Sequence, residues 1–255
     1  MSGPLRERAG SSEGKEVPLM KKRTMFTEWA YVAGLLLIAG GVVLMEKADF
    51  GLSMIVAPAY LLHRWLEPVW SRFSFGTAEY CFQALLLILM TLVLRRFRTS
   101  WLFSFVTAVI YGFVLDGLLA LGAALSAGSL WLRGLWYVLG MLMGSMGVAC
   151  MFRTYLAAEV YELFVKEVSR AFGVEIHRFK TAYDCVSCLI GLIMSFLIFG
   201  FGSFVGVSWG TIVCALVNGW IIGRCSAWLQ NTFEWKDALP WRCFFTGEAA
   251  RGSTP

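Results

Sequence analysis

Hydrophobic residues fill six long stretches of the chain, and polar and basic residues lie between them. Each stretch approaches or exceeds the roughly 20 residues with which an α-helix crosses about 30 Å of hydrocarbon. The pattern therefore predicts six membrane-spanning helices. They cover residues 29–45, 78–94, 101–125, 134–151, 182–201 and 204–228.

Two shorter apolar segments are interpreted differently. Residues 53–65 are too few to span the hydrocarbon, and Pro58 restricts where a helix can begin. Residues 157–172 repeat apolar residues at helical spacing and place a charged set on another face. That charged set consists of Glu159, Glu162, Lys166 and Arg170. We expect two short helices that re-enter the membrane or lie at its interface.

The distribution of basic residues supports six crossings. With the N-terminus inside, only Lys47, Arg64, Arg72 and Arg133 fall on the outer side. If both short segments crossed, the basic cluster of residues 95–98 would move outside, which the positive-inside rule disfavours. The predicted fold is therefore an all-α polytopic membrane protein with both termini cytoplasmic. We expect a disordered cytoplasmic tail over 1–27, one transmembrane domain over 28–228 and an aromatic cytoplasmic tail over 229–255.

Composition agrees with a membrane protein and excludes several other classes. Apolar residues make up 58% and charged residues 15% of the chain, whereas soluble domains are nearer half apolar and a quarter charged. The net charge of +5 comes from residues between apolar stretches, so we expect contact with the lipid bilayer and none with nucleic acid. No phosphate loop, metalloprotease helix or nucleophile elbow is found. We therefore expect no cofactor, no metal site and no enzymatic activity.

The chain also contains an internal repeat. At an offset of 106, seven residues of the first span match the fourth: Tyr31, Val32, Gly34, Leu36, Gly41, Val42 and Met45 meet Tyr137, Val138, Gly140, Leu142, Gly147, Val148 and Met151. This predicts two repeats, 28–126 and 134–228, each with three crossings. An odd number of crossings makes the second repeat enter from the opposite side, as in many secondary transporters. Duplication without a transport role remains the alternative.

Polar residues at membrane depth are candidates for a binding site. A charge near the bilayer centre costs about 3 kcal/mol, so Asp116, fifteen residues into its apolar stretch, needs an explanation. It could be a proton or cation coupling site, or it could pair with Arg133 or Lys47. Asp184 also has two interpretations: it could be an acid that faces a cavity or a solvated residue at the headgroups.

The first short segment supplies further candidates. Asp49 is expected to cap the start of this helix, and Gly51 would let the segment turn back and expose backbone amides to a cavity. Glu79, one turn from Gln83, is interpreted as a solvated boundary residue, and Asn218 as an interhelical hydrogen bonder. The candidate substrate or coupling-ion residues are Asp49, Gly51, Ser53, Gln83, Asp116, Asp184 and Asn218.

Three short motifs resemble a known family. Residues 47–53 (KADFGLS) after the first span, 75–77 (FGT) before the next, and 207–212 (VSWGTI) opening the last resemble the joints of the YczE/YyaS/YitT family of bacterial membrane proteins. The resemblance covers roughly residues 29–228, and the chain looks closer to the YczE type than to the YitT branch, which has a soluble C-terminal domain. The second repeat departs from the motif, because residues 153–157 (RTYLA) lack its acid. The resemblance implies a multi-pass protein of the bacterial cell membrane and little chemistry.

Two functions remain after this comparison. The first is a transporter of an unknown small solute or ion, with its site at the interface of the two repeats. The second is a membrane protein that does not transport but assembles with or regulates another membrane complex. A repeat interface packed with Leu and Phe would favour the second, and a polar interface would favour the first.

Overall fold

A computed structural model describes residues 23–125, 128–200 and 205–238. Within these residues the chain forms eight α-helices and two short strands, and a 3-10 turn, Gly122–Ala124, follows α4. The elements are β1 (Arg23–Phe26), α1 (Thr27–Ala48), α2 (Ala57–Leu66), α3 (Phe75–Leu94), α4 (Trp101–Leu121), α5 (Leu130–Met151), α6 (Val160–Phe172), α7 (Ile176–Phe199), α8 (Trp209–Thr232) and β2 (Phe233–Lys236).

Six of these helices, α1, α3, α4, α5, α7 and α8, are long and apolar enough to cross a membrane. Large apolar side chains such as Leu85, Phe113 and Leu216 are exposed on their outer surfaces, as lipid contact requires. The prediction of an all-α, multi-pass membrane protein with six spans and two short helices is confirmed.

Contacts between helix ends define two ends of the molecule. At the first, which we call the basic end, β1 pairs with β2, Arg153 after α5 binds Ser226 of α8, and Arg96 before α4 approaches Glu167 of α6. At the other, which we call the Asp49 end, the end of α1 meets the start of α5, and the start of α3 meets Asp116 near the end of α4. Each long helix therefore runs from one end to the other.

Helices α1 and α5 pack antiparallel along a glycine-lined contact. A Cβ atom on Gly41 would lie 2.6 Å from the Gly140 carbonyl oxygen, and one on Gly147 would lie 2.7 Å from the Gly34 carbonyl oxygen. Larger side chains at these positions would push the two backbones apart. The close approach of α1 and α5 therefore depends on these four glycines.

The two segments that contain the short helices each begin and end on the same side of the molecule. Helix α1 ends and α3 begins at the Asp49 end, so the segment that contains α2 does not cross. Helix α5 ends and α7 begins at the basic end, so the segment that contains α6 does not cross either. Helix α2 packs against α3 and α7, and α6 packs against α7 and α3. Each short helix therefore contacts spans of both halves.

The chain segments next to the first and last spans are paired with each other. Strand β1 lies parallel to β2, with Arg23 opposite Phe233 and Phe26 opposite Lys236. The prediction of disorder through residue 27 is therefore wrong for 23–26, and the predicted aromatic tail begins instead with the last turn of α8 and with β2. The rest of both predicted tails, residues 1–22 and 239–255, lies outside the described residues.

Candidate functional site

A cavity of about 70 Å³ lies between the two halves, beside the glycine contact of α1 and α5. Because a water molecule occupies roughly 10–15 Å³ on this measure, the cavity has room for several waters. Eight polar or ionisable side chains line it together with small and aliphatic residues, and the described lining includes neither Leu nor Phe. These eight are Ser53, Tyr111, Ser145, Glu159, Tyr161, Glu162, Lys180 and Asn218.

On one side of the cavity is the joint between α1 and α2, residues 49–56, which we call the first joint. Two backbone hydrogen bonds fasten it to the start of α8, from Leu52 N–H to the Gly206 carbonyl (2.9 Å) and from Gly210 N–H to the Phe50 carbonyl (3.0 Å). Gly51 has a φ of +101°, and a Cβ atom there would lie 2.5 Å from Thr211 Oγ1. Glycine is needed for both reasons. The first joint is tightly packed.

On the opposite side is the joint between α5 and α6, residues 152–159, which we call the second joint. Side chains hold it: Thr107 Oγ1 of α4 donates to the Ala157 carbonyl (2.9 Å), and Gln83 Oε1 of α3 accepts from the Val160 N–H (3.0 Å). Gln83 Nε2 also donates to Glu159 Oε2 (3.1 Å). Gln83 therefore binds the first backbone amide of α6 and orients Glu159 at the cavity wall.

Two tyrosines related by the internal repeat connect the halves. Tyr31 Oη of α1 lies 2.9 Å from Thr107 Oγ1, which in turn holds the second joint. Tyr137 Oη of α5 donates to the Gly210 carbonyl, and Gly210 holds the first joint. Tyr31 is thus linked to the second joint through α4, a span of its own half. Tyr137 is likewise linked to the first joint through α8.

Several buried polar atoms at the cavity have no hydrogen-bond partner among the described residues. They are Glu159 Oε1 and the Tyr111 hydroxyl, and behind the wall Glu79 Oε1. Glu79 Oε2 accepts a hydrogen bond of 2.7 Å from Tyr161. An unsatisfied buried polar group costs about 1–3 kcal/mol and a charged one more. The site therefore offers oxygen atoms that water, a proton or a solute could satisfy.

The cavity adjoins a wider vestibule at the basic end, with a volume of about 1140 Å³. Arg98, Arg153 and Arg170 are among its lining residues. Glu162 and Lys180 line both the cavity and the vestibule, so they stand at the boundary between the two spaces.

Burial changes the acidity of the groups that α6 brings to this boundary. It raises the pKa of Glu159 well above the ordinary range, and the charges of Glu162 and Glu79 raise it further. Burial also raises the pKa of Glu162, where the ammonium of Lys180 opposes the rise. The Tyr161 pKa is raised for the same reason, burial next to Glu79. A proton is therefore held more tightly at Glu159 than at a carboxyl group in water.

Four of the predicted site residues lie at or directly behind the cavity. Ser53 and Asn218 line it, and Asn218 Oδ1 accepts a hydrogen bond of 2.7 Å from Ser145. Gln83 lies behind it and holds Glu159. Asp184 also lies behind it, 3.5 Å from Lys180 Nζ. Gly51 contributes indirectly, because it shapes the first joint.

The structure contradicts the helix cap predicted for Asp49 and the ion pairs considered for Asp116. Asp49 does not cap α2, which begins eight residues later without a side-chain cap; it ends α1 in a left-handed conformation and binds Arg133 at 2.9 Å. Asp116 pairs with neither Arg133 nor Lys47 among its described contacts. It accepts hydrogen bonds from Ser74 Oγ (2.6 Å) and Gly76 N–H (2.8 Å), and thereby caps α3 from α4. Neither residue lines the cavity.

Glu79, Glu159 and Glu162 were missed as site residues. Helical spacing places Glu159 and Glu162 on a charged face, apart from the apolar one. Helix α6 begins at Val160, so Glu159 lies before it, and it is only 5% exposed. Glu79, predicted to be a solvated boundary residue, is fully buried in α3. The spacing of Glu79 and Gln83, one turn apart, is the signal that could have located this cluster.

The described residues contain no group of three or more His, Cys, Asp or Glu side chains that could hold a metal ion. Comparison with known proteins adds a family but no activity. No curated protein matches the chain, and no solved structure does. The model of DUF6198, a family of unknown function, matches residues 25–227. The chain therefore belongs to the DUF6198 family, whose function is unknown.

Proposed function

We propose that this protein is a secondary transporter of a small solute, with its binding site in the cavity between two inverted repeats. The observation that carries the proposal is a polar cavity lined by both halves, which adjoins a vestibule at one end and has a packed joint on its other side. Such a site at the interface of two repeats is typical of secondary transporters. No catalytic step is part of this proposal.

The packing of the two halves supports the inverted repeat. Helix α1 begins at the basic end, and its repeat equivalent α5 begins at the Asp49 end. In the glycine contact, Gly34 meets Gly147 and Gly41 meets Gly140. Gly34 and Gly41 are the repeat equivalents of Gly140 and Gly147. Gly34 therefore contacts the equivalent of Gly41, and Gly41 contacts the equivalent of Gly34, which is the pairing that a twofold axis between the repeats produces.

The polar lining favours transport over the alternative, a non-transporting partner of another membrane complex. A Leu- and Phe-packed interface between the halves would have no room for a solute, whereas the described cavity wall carries carboxyl, hydroxyl, amide and ammonium groups. These groups would give water and a polar solute hydrogen-bonding partners at membrane depth.

The proposal includes the orientation and the location of the protein. The basic end carries Arg96, Arg98, Arg153 and Arg178, so the positive-inside rule makes it the cytoplasmic end with both termini. The vestibule would then open to the cytoplasm. The resemblance to the YczE/YyaS/YitT family supports a bacterial cell membrane as the location.

Thiol labelling tests whether solutes reach the cavity, without knowledge of the substrate. Ser145→Cys, introduced after replacement of the seven native cysteines, would be treated with a small membrane-impermeant methanethiosulfonate on whole cells and on inside-out vesicles. Ser195→Cys is the matched control, because Ser195 is fully buried and lies outside the cavity lining. We expect labelling of Ser145→Cys from both membrane faces, since a transporter alternates between them.

Two results would count against transport. If Ser145→Cys is as protected as Ser195→Cys from both faces, the cavity is dry and closed. If it reacts from one face only under all conditions, the pocket binds a solute without passing it across the membrane, which favours the partner function.

A further inference from the structure

We propose that Glu159 is the proton-carrying residue of this transporter and takes up its proton at Oε1, the carboxyl oxygen that has no hydrogen-bond partner among the described residues. The proposal rests on the proposed function and names its coupling ion. Glu159 takes the place of the two acids that the sequence predicted as coupling residues. Asp116 caps a helix away from the cavity, and Asp184 lies behind the cavity beside Lys180.

The geometry of the Glu159 carboxyl group supports this role. One oxygen, Oε2, is held by Gln83, whereas Oε1 has no hydrogen-bond partner among the described residues. The side chain is buried and lines the cavity. A carboxylate in this position would lack donors for half of its acceptor sites, and a proton on Oε1 removes the uncompensated charge.

The charges around the cavity also favour proton uptake. Glu79, Glu159, Glu162 and Asp184 supply four carboxyl groups, whereas Lys180 supplies one ammonium group. Like charges at short range cannot all be ionised without a large cost, so protonation relieves their repulsion. The titratable groups that face Glu159 are Tyr31 on α1, Glu79 on α3, Tyr111 on α4, Tyr161 and Glu162 on α6 and Lys180 on α7.

Glu159 also lies where a proton can arrive and leave. Water in the vestibule reaches Glu162 and Lys180, and these residues line the cavity that Glu159 faces. In the binding step, a hydronium ion in the cavity gives its proton to Oε1 and becomes water. The carboxyl group changes from a charge of −1 to neutral, and no electron is transferred.

Infrared spectroscopy of the purified full-length protein tests the assignment directly. The carbonyl stretch of a protonated carboxyl group is resolved from that of a carboxylate, and its loss on raising the pH reports deprotonation. We expect such a band in the wild type and its loss in Glu159→Gln. Glu167→Gln is the matched control, because Glu167 is buried like Glu159 but lies 3.7 Å from both Arg96 and Arg98, whose guanidinium groups face its carboxyl group.

The second variant Glu79→Gln separates the two neighbouring acids. If the band survives in Glu159→Gln and disappears in Glu79→Gln, the proton is carried by Glu79 and the proposal is overturned. If no titrating band is found in the wild type, it is overturned as well.

Thermal unfolding in detergent serves as a folding check and a second readout. Because the folded-state pKa of Glu159 is raised, its contribution to stability is present below the unfolded-state pKa and is lost as the pH rises through the folded-state value. The wild type should therefore lose more stability on alkalinisation than Glu159→Gln. Equal pH dependence of the unfolding midpoint in the two proteins would contradict the proposal.

The labelling assay links the proton to the access change. The ratio of Ser145→Cys labelling from the two faces cancels the intrinsic pH dependence of the thiol. We expect this ratio to change with pH in the Ser145→Cys protein and to stay constant when Glu159→Gln is added. If both proteins are labelled from both faces and the ratio does not depend on pH in either, proton coupling is overturned and the transporter proposal is retained.

Discussion

The two joints occupy matching places in the repeats but are held in different ways. The first joint is fixed by backbone hydrogen bonds to the start of α8 and by a glycine that admits no side chain. The second joint is fixed by Thr107 and Gln83, and its residues line the wide vestibule. Packed backbone is therefore found at the joint of the Asp49 end, whereas polar side chains and open space are found at the basic end.

The proposed function assigns the first joint to the closed side of the site and the second joint to its entrance. Backbone hydrogen bonds fix the first joint to the start of α8. The second joint is held by side-chain hydrogen bonds, which water can replace at small cost. The acids that bear the proposed function lie beside this second joint.

The largest effect is expected from breaking the first joint with Gly51→Ala. A residue held in an unfavourable backbone region costs about 1–3 kcal/mol, and overpacking against Thr211 and Ser208 adds roughly 1–3 kcal/mol. We expect a large loss of folded protein by size-exclusion chromatography and a much lower unfolding midpoint. The control is Gly144→Ala, since a Cβ atom there has no neighbour within 4 Å. If both variants behave alike, the first joint is not as rigid as its packing indicates.

An intermediate effect is expected from weakening the second joint with Gln83→Leu. The substitution leaves the Val160 N–H and one Glu159 oxygen without their partner, at about 1–3 kcal/mol for each neutral group. The unfolding midpoint should fall, and it should fall further at alkaline pH, where Glu159 is more often charged. Met90→Leu is the control, because Met90 is equally buried on α3 and its side chain makes none of the hydrogen bonds that hold the second joint. A midpoint that falls no further for Gln83→Leu than for the control would contradict the role of Gln83.

The smallest effect is expected for Asp49→Asn. Asparagine tolerates the left-handed conformation that ends α1, and an exposed ion pair contributes only about 0.2–1 kcal/mol. We expect a small change in unfolding midpoint and unchanged labelling of Ser145→Cys. Loss of labelling in this variant would restore Asp49 as a candidate coupling residue.

Helix boundaries show what local signals could and could not predict. Helix α3 begins at Phe75 because Ser74 caps it, and α8 begins at Trp209 because Ser208 and Thr211 form a capping box. Hydropathy placed these starts at residues 78 and 204, since it does not register a cap. Helix α7 begins at Ile176, six residues before the predicted start, because hydropathy does not register its polar first turns.

The candidate site was predicted only in part, for a related reason. Ser53 and Asn218 were identified because a polar residue inside an apolar stretch is visible in the sequence. Glu159 was not identified, because its surroundings depend on α3 and α4, which are distant along the chain. Asp116 was assigned the wrong role because its partner, Ser74, lies on a different helix.

The length and composition of each apolar stretch are enough to predict the six spans and the two short helices, because partition into lipid depends on these two properties. Which acids face the cavity, and which of them cap a helix, follows only from the packing of distant parts of the chain. The ionisation and hydrogen bonding of a side chain depend on the groups packed around it, and those groups come from helices far apart in the chain.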